Sequence, residues 1–152
     1  MIRLLTIVLF ISFLELQAQS QGELKFTDLR QTSMSELLSL SSQQNKPVFV
    51  YFTSEGCGPC KKMEKEVFSD SNVINHMQSN FILAKSKIIF KNSDTGGMKA
   101  KDYKEANKDL LKVNKKYKVE FYPTFIILLD SDEKSRAKGF MTKEEFLDFL
   151  ST

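Results

Sequence analysis

Two uninterrupted apolar runs constrain this chain most: Val48-Phe49-Val50-Tyr51-Phe52, which follows Pro47, and Phe125-Ile126-Ile127-Leu128-Leu129, which follows Pro123-Thr124. Side chains along a strand alternate between its two faces, so a strand that is apolar at every position needs cover on both sides. Helices packed above and below a sheet supply that cover. The remaining segments read as a helix, a strand, and helices again, which predicts an α/β layer fold with a mixed sheet. At 152 residues, with 41% hydrophobic and 27% charged side chains, one compact domain with its own core is expected.

The intervening segments carry their own start and stop signals. Ser33-Met34-Ser35-Glu36 has the form of a capping box, and Met34, Leu37, Leu38 and Ser41 share a face, predicting a helix over 34–44. After the first apolar run, Thr53 to Pro59 is turn-rich, and Cys60, Met63, Val67 and Phe68 then recur at helical spacing. Ser69-Asp70-Ser71-Asn72 interrupts that helix, and Val73, Ile74 and Met77 restart it. Phe81 to Phe90 reads as a strand whose Lys85 and Lys87 suggest that one end is exposed or at an edge. A loop follows at Asn92–Gly97. Tyr103, Ala106, Leu110, Val113 and Tyr117 predict one amphipathic helix over 102–119. Beyond the second apolar run, Asp130–Glu133 forms a hairpin turn and Lys134–Phe140 a return strand. Thr142 and Glu145 make a second capping box, Met141 and Phe146 a hydrophobic staple, and Phe146, Phe149 and Leu150 the buried face of a last helix. No internal repeat is present.

The amino terminus differs in kind. Met1–Ala18 has Arg3 near its start, an apolar run from Leu4 to Leu14, and Leu16-Gln17-Ala18 before a polar stretch, the layout of a secretory signal peptide. A run covering 11 residues falls short of the roughly 20 that span a bilayer as a helix, so cleavage near Ala18 is expected rather than a permanent membrane span. The domain organisation is then a signal over 1–18, an extension over 19–32, and a domain over 33–152. The exported protein is placed in the periplasm or outside the cell, where disulfides persist.

Cys57 and Cys60 are the only cysteines, so no disulfide framework exists, and a bond closing so short a loop stabilises little. Their position is more informative. They sit where a buried strand hands over to a helix, which puts the first sulfur near unpaired N–H groups and the positive end of the helix dipole. Both features favour the thiolate, and pairs of this spacing have pKa values lowered to roughly 3.5–7.5. Cys57 is then a nucleophile, and Cys60, one turn on and deeper, can resolve a mixed disulfide. Gly58 permits close approach of a substrate chain, and Pro59 stiffens the helix entry. Half of a zinc site has the same spacing, but zinc takes about four ligands, and this chain has no third cysteine and one histidine, His76, read as a helix-surface residue. No metal site is expected, and no cofactor beyond the redox-active cysteine pair.

The strand VFVYF, the motif Cys57-Gly58-Pro59-Cys60-Lys61, Tyr122-Pro123-Thr124 and Gly139-Phe140 before a helix together resemble the thioredoxin family, over roughly residues 33–152. Within it, Lys46-Pro47-Val48, Phe68-Ser69-Asp70 and Gly139-Phe140-Met141 are similar to exported thioredoxin-like proteins and to the carboxy-terminal periplasmic domain of the membrane-spanning disulfide reductase. The resemblance implies a thioredoxin fold, with a central sheet of four to five strands flanked by helices on both faces. It implies Cys57 as attacking thiol, Cys60 as resolving thiol, and Lys61 as part of the motif. It also implies a cis bond before Pro123, in a loop where Tyr122, Pro123 and Thr124 meet an extended substrate segment through main-chain hydrogen bonds.

Two departures stand out. Cytosolic thioredoxins place a tryptophan before the first cysteine, where this chain has Gly56, and a buried aspartate six residues before it, where this chain has Tyr51. Without that carboxylate, water or Glu55 is left to receive the Cys60 proton. The segment from Ser86 to Lys101 is longer than the family core requires. Eleven lysines against four acidic residues between Lys85 and Lys118 read as a solvated basic face. With a net charge of +3, nucleic acid is not an expected partner. The expected function is a monomeric exported thiol-disulfide oxidoreductase, and the Gly-Pro dipeptide resembles reducing members of the family. Its partners would be protein disulfide substrates and an electron-donor thiol protein. The alternative is a non-catalytic binding or chaperone-like module using the groove beside Pro123.

Overall fold

In the computed structural model, residues 23–90 and 99–152 are described. The expected signal segment 1–18 and the loop 92–97 lie outside the described residues, as does the start of the extension. Five strands, β1 (Thr27–Asp28), β2 (Val48–Ser54), β3 (Ile82–Ile88), β4 (Thr124–Leu129) and β5 (Asp132–Lys138), form one sheet in the order β1-β3-β2-β4-β5. Six helices accompany them among the described residues: α1 (Met34–Gln44), α2 (Gly58–Glu66), α3 (Ser71–Asn80), α4 (Ala100–Ala106), α5 (Lys108–Lys116) and α6 (Lys143–Leu150). The sheet is mixed. β1, β3 and β2 run parallel, whereas β2 pairs antiparallel with β4, and β4 with β5.

The two apolar runs become the central strands β2 and β4, and alternation along them builds two cores. Phe49, Tyr51, Phe125 and Ile127 face α2, α3 and α6, packing on Met63, Phe68, Met77 and Phe146. Val48, Val50, Phe52, Ile126 and Leu128 face the other side, against Leu37 of α1 and Leu110 of α5. Every residue from Val48 to Phe52 is fully buried. The first core is unusually aromatic: Phe146 lies 5.4 to 5.8 Å by ring centroid from Phe49, Phe68 and Phe125.

Local signals account for the element ends. Ser33–Glu36 and Thr142–Glu145 are complete capping boxes. Asp70 caps α3 by accepting from the backbone N–H groups of Asn72 and Val73, which explains why the helix begun at α2 breaks. Asp130 and Ser131 both take positive φ, so the β4–β5 connection is a two-residue hairpin, and β5 begins two residues earlier than the pattern predicted.

Three expectations are corrected. The helix expected over 102–119 is two helices, because Asn107 takes φ −114° and ψ 8° and spends its side chain on the backbone of Ile89. Ala106 is exposed as a result, and Asn107 and Asn114 occupy the buried stripe with Leu110 and Tyr117. β3 is an interior strand over its first half, since Ala84 and Lys85 pair with β1 as well as β2. Lys85 is therefore not at an open edge, whereas Lys87, exposed and beyond the β1 pairing, marks the open end as expected. The extension contributes β1, and Leu24 and Leu29 from it are buried.

Phe146→Ala should destabilise the fold by ~3–5 kcal/mol, because a large ring is removed from a closed aromatic cluster. Leu40→Ala, at a side chain 40% exposed, should change stability by less than ~0.5 kcal/mol. Urea unfolding of the two variants checks the contrast; equal losses would contradict it.

Candidate active site

β2 ends at Ser54, and the chain turns through Glu55 and Gly56 into α2. Gly56 has φ +75°, a conformation that side chains with a Cβ rarely adopt, and it lets the strand reverse directly into the helix. Cys57 is the N-cap, and its Sγ accepts from the Cys60 N–H at 3.2 Å. Pro59 sits in the first helical turn, where a missing N–H costs nothing because those donors have no intrahelical partner. Cys57 and Cys60 form a disulfide, with Cys57 partly exposed and Cys60 only 2% exposed. Gly58 faces open space, and Lys61 is exposed beside the pair.

The partner loop is delivered by the sheet. Phe52 of β2 pairs with Thr124 of β4, so the segment before Thr124 lies at the end of the sheet where β2 releases Cys57. The Tyr122–Pro123 bond is cis. Thr124 Oγ1 donates to the Phe121 carbonyl at 2.8 Å, and the Gly139 N–H donates to the Pro123 carbonyl at 2.8 Å. Cys57, Tyr122, Phe140 and Met141 all pack on the first core, and the Met141 N–H points to Met63 Sδ at 3.3 Å. Cys57, Cys60, Tyr122 and Pro123 are thus brought to one end of the molecule. Phe121, 62% exposed, extends the aromatic surface there, under Lys138 Nζ at 5.7 Å. His76 is half-buried on α3 with its ring 6.2 Å from Phe81, on another part of the domain.

A crevice of about 140 Å³ adjoins the disulfide. Thr53, Ser54, Glu55, Gly56, Cys57, Cys60, Lys61, Glu64 and Lys87 line it. Beneath it, Tyr51 is fully buried between Phe125, stacked at 5.5 Å, and Phe68, edge-on at 5.2 Å. Burial pushes its phenol well above the ordinary tyrosine range, and the neighbouring Glu64 charge acts in the same direction. The Tyr51 hydroxyl lies 3.5 Å from the Cys60 carbonyl and 3.4 Å from Glu64 Oε1. Glu64 in turn is paired with Lys85 at 2.8 Å. The sheet dictates this contact: Lys85 is the β3 residue paired with Tyr51, and its ammonium sits 5.3 Å from the Tyr51 ring centroid. The Glu55 carboxylate is engaged by the Phe90 N–H at 2.9 Å.

Sequence reasoning did not single out Glu64, though its place four residues after Cys60 puts it one turn along the same helix. It also passed over Asn114. The Asn114 Nδ2 donates to the Tyr122 hydroxyl at 2.7 Å, and its Oδ1 accepts from Ser86 Oγ at 3.0 Å. No apolar periodicity could have marked either residue.

Residues 34–152 match the model of the thioredoxin-like domain. The chain belongs to the thioredoxin-like family. Over 113 residues it is 29% identical to the thiol:disulfide interchange protein DsbD of Campylobacter jejuni (strain RM1221), a match covering 74% of this chain but only 17% of that protein. Among solved structures, a thioredoxin from Thermus thermophilus superposes with a TM-score of 0.62 at 25% identity, covering 86% of each chain. A putative disulphide-isomerase from Bacteroides thetaiotaomicron gives a TM-score of 0.60 at 26% identity, covering 88% of this chain and 92% of that one. Fold, family and a cysteine-pair disulfide at the strand-to-helix junction together support thiol-disulfide oxidoreductase chemistry for this domain. Among the described residues, no helix is long and apolar enough to cross a membrane, and no cluster of three or more potential metal ligands occurs.

Proposed function

We propose that this protein is an exported, monomeric reductase of protein disulfides, with a signal over 1–18, an extension over 19–32 that adds β1 to the sheet of the working domain over 33–152, and no cofactor beyond its own cysteine pair. The observation that carries the reading is the Cys57–Cys60 disulfide at the N-terminus of α2, at the same end of the sheet as the Pro123 loop. In the reduced protein the unpaired N–H groups and dipole of α2 stabilise the Cys57 thiolate. That thiolate attacks one sulfur of a substrate disulfide and expels the other as a thiolate, which takes up a proton. Extended backbone of the substrate lies along Tyr122, Pro123 and Thr124, with Gly58, Pro59 and Lys61 bordering the sulfur. Cys60 then loses its proton and attacks Cys57, which releases the second substrate thiol and closes the Cys57–Cys60 disulfide. Two electrons from a separate thiol protein restore the pair. DsbD is named for thiol:disulfide interchange, which supports such exchange chemistry for this chain.

Glu64 is the group that receives the Cys60 proton. It lines the same crevice as both sulfurs, Lys85 fixes its carboxylate, and Tyr51 holds the carboxylate from below. Glu55 is tied by the Phe90 N–H to the end of the loop instead.

The trapping experiment tests the whole reading. Cys60→Ser should accumulate mixed disulfides through Cys57 with exported proteins, dissociated by reductant; complexes that are only non-covalent would make the protein a binding module. Equilibration of the pair with glutathione should give a potential near that of thioredoxin, about −270 mV, and a value near −120 mV would reverse the direction of transfer. Glu64→Gln should slow resolution of a preformed Cys57 mixed disulfide by about a hundredfold, the lower end of general-base contributions, while sparing its formation. Stopped-flow release of the substrate thiol reads this step, and an unchanged rate removes Glu64 from the mechanism.

A further inference from the structure

The loop that meets substrate in the proposed mechanism is not held by its own backbone alone. Its Tyr122 side chain is half-buried, and the Tyr122 hydroxyl accepts from Asn114 Nδ2 at 2.7 Å. Asn114 is 6% exposed, and its other amide atom is committed to Ser86 Oγ at 3.0 Å. Ser86 is fully buried in β3, directly opposite Phe52 of β2. A line of two hydrogen bonds therefore runs from the strand beside β2, through α5, to the residue before Pro123. The main chain repeats the connection: the Asn114 carbonyl accepts from the Val119 N–H at 2.9 Å, ending α5 and turning the chain toward the loop through Lys118 at φ +50°.

One amide bridges two hydroxyls in this line. Asn114 serves Ser86 with its oxygen and Tyr122 with its nitrogen at the same time, so both ends of the amide are paired. An apolar residue at 114 would fill the stripe between Leu110 and Tyr117 equally well, and a polar residue at that depth costs free energy unless both ends are paired. Its pairing reaches the one aromatic side chain beside the cis bond.

We propose that Asn114 is a positioning residue for substrate, acting with Ser86 through the Tyr122 hydroxyl to hold the Pro123 loop at the height where an extended chain can pair beside Cys57. The proposal rests on the reading of that loop as the substrate-binding segment. Asn114 touches neither sulfur, so it sets substrate binding and leaves the thiol chemistry alone.

Insulin disulfides serve as the protein substrate, with dithiothreitol as electron source, and the small disulfide 5,5′-dithiobis(2-nitrobenzoate) reports the intrinsic reactivity of Cys57. Asn114→Ala should raise KM for insulin by about tenfold, the scale of one hydrogen bond, with kcat within about twofold. Its potential against glutathione and its rate with the small disulfide should match wild type. Tyr122→Phe, which deletes only the hydroxyl at a half-buried position and provides the test should Asn114→Ala not fold, should raise the insulin KM to the same extent. The double variant should lose no more than either single one. An unchanged insulin KM in Tyr122→Phe or in a folded Asn114→Ala, or losses that multiply in the double variant, overturns the proposal while leaving an active reductase. A wild-type protein that neither reduces insulin nor forms the Cys57 adduct overturns the underlying reading, and the proposal with it.

Discussion

The antiparallel pairing of β2 with β4 is the constraint on which the site depends. Tyr51 opposite Phe125 and Phe52 opposite Thr124 fix the register, and a slip of one residue would turn every side chain of one strand to the wrong core. Because both strands are apolar on both faces, the fit of side chains into each core, and not a polar face turned to solvent, holds this register. That rigidity matters where the strands end. β2 releases the chain into Gly56 and Cys57, and β4 receives it from Pro123, so two segments far apart in sequence are placed together by side chains that take no part in chemistry. The cores on either side then hold the junction: α2 through Met63 and α6 through Phe146 on one side, α1 through Leu37 and α5 through Leu110 on the other.

Under the disulfide the charge arrangement follows from one residue. Tyr51 is enclosed by Phe68 and Phe125, a setting in which a carboxylate would be desolvated without a partner in the same strand. A phenol satisfies that space with its ring and needs only its hydroxyl to reach a polar group. The ionised groups stand further out, Glu64 at the start of the crevice and Lys85 beside it, both partly exposed and paired at 2.8 Å. Charge is thereby available at the crevice mouth, while the aromatic core beneath remains free of it.

Much of this was legible in the sequence, and the misses share a cause. Ser33 and Thr142 announced their helices, Asp70 its helix break, and the two apolar runs the central strands, because capping and burial act through residue types that a pattern can register. Cys57, Cys60 and the cis bond before Pro123 were identified by spacing and resemblance. What periodicity could not find was polar and buried. Apolar spacing alone points Ala106 inward, yet Asn107 takes the buried place by pairing both amide atoms with Ile89. Lys85 read as an edge signal, since nothing in a strand pattern reveals that a two-residue strand, Thr27–Asp28, pairs beside it. Glu64 looked like any solvated helix residue until the register of β3 brought Lys85 across to it.

Asn107 and Asn114, seven residues apart on one buried stripe, show why such residues are more than tolerated polar atoms. Each replaces the apolar contact that the pattern favours with hydrogen bonds to the chain of β3, Asn107 at Ile89 just past its end and Asn114 at Ser86 within it. Apolar packing alone lets a helix slide along a sheet at little cost, because one methyl group substitutes for another. Two amides that lose every partner on sliding do not. The docking of α4 and α5 on the sheet is therefore fixed lengthwise, and the chain leaving α5 enters the loop at Tyr122 from a defined point. Placement of the cis-proline loop against the cysteine pair is in this way a property of polar contacts in the second core, on the face of the sheet opposite the helix that carries the disulfide.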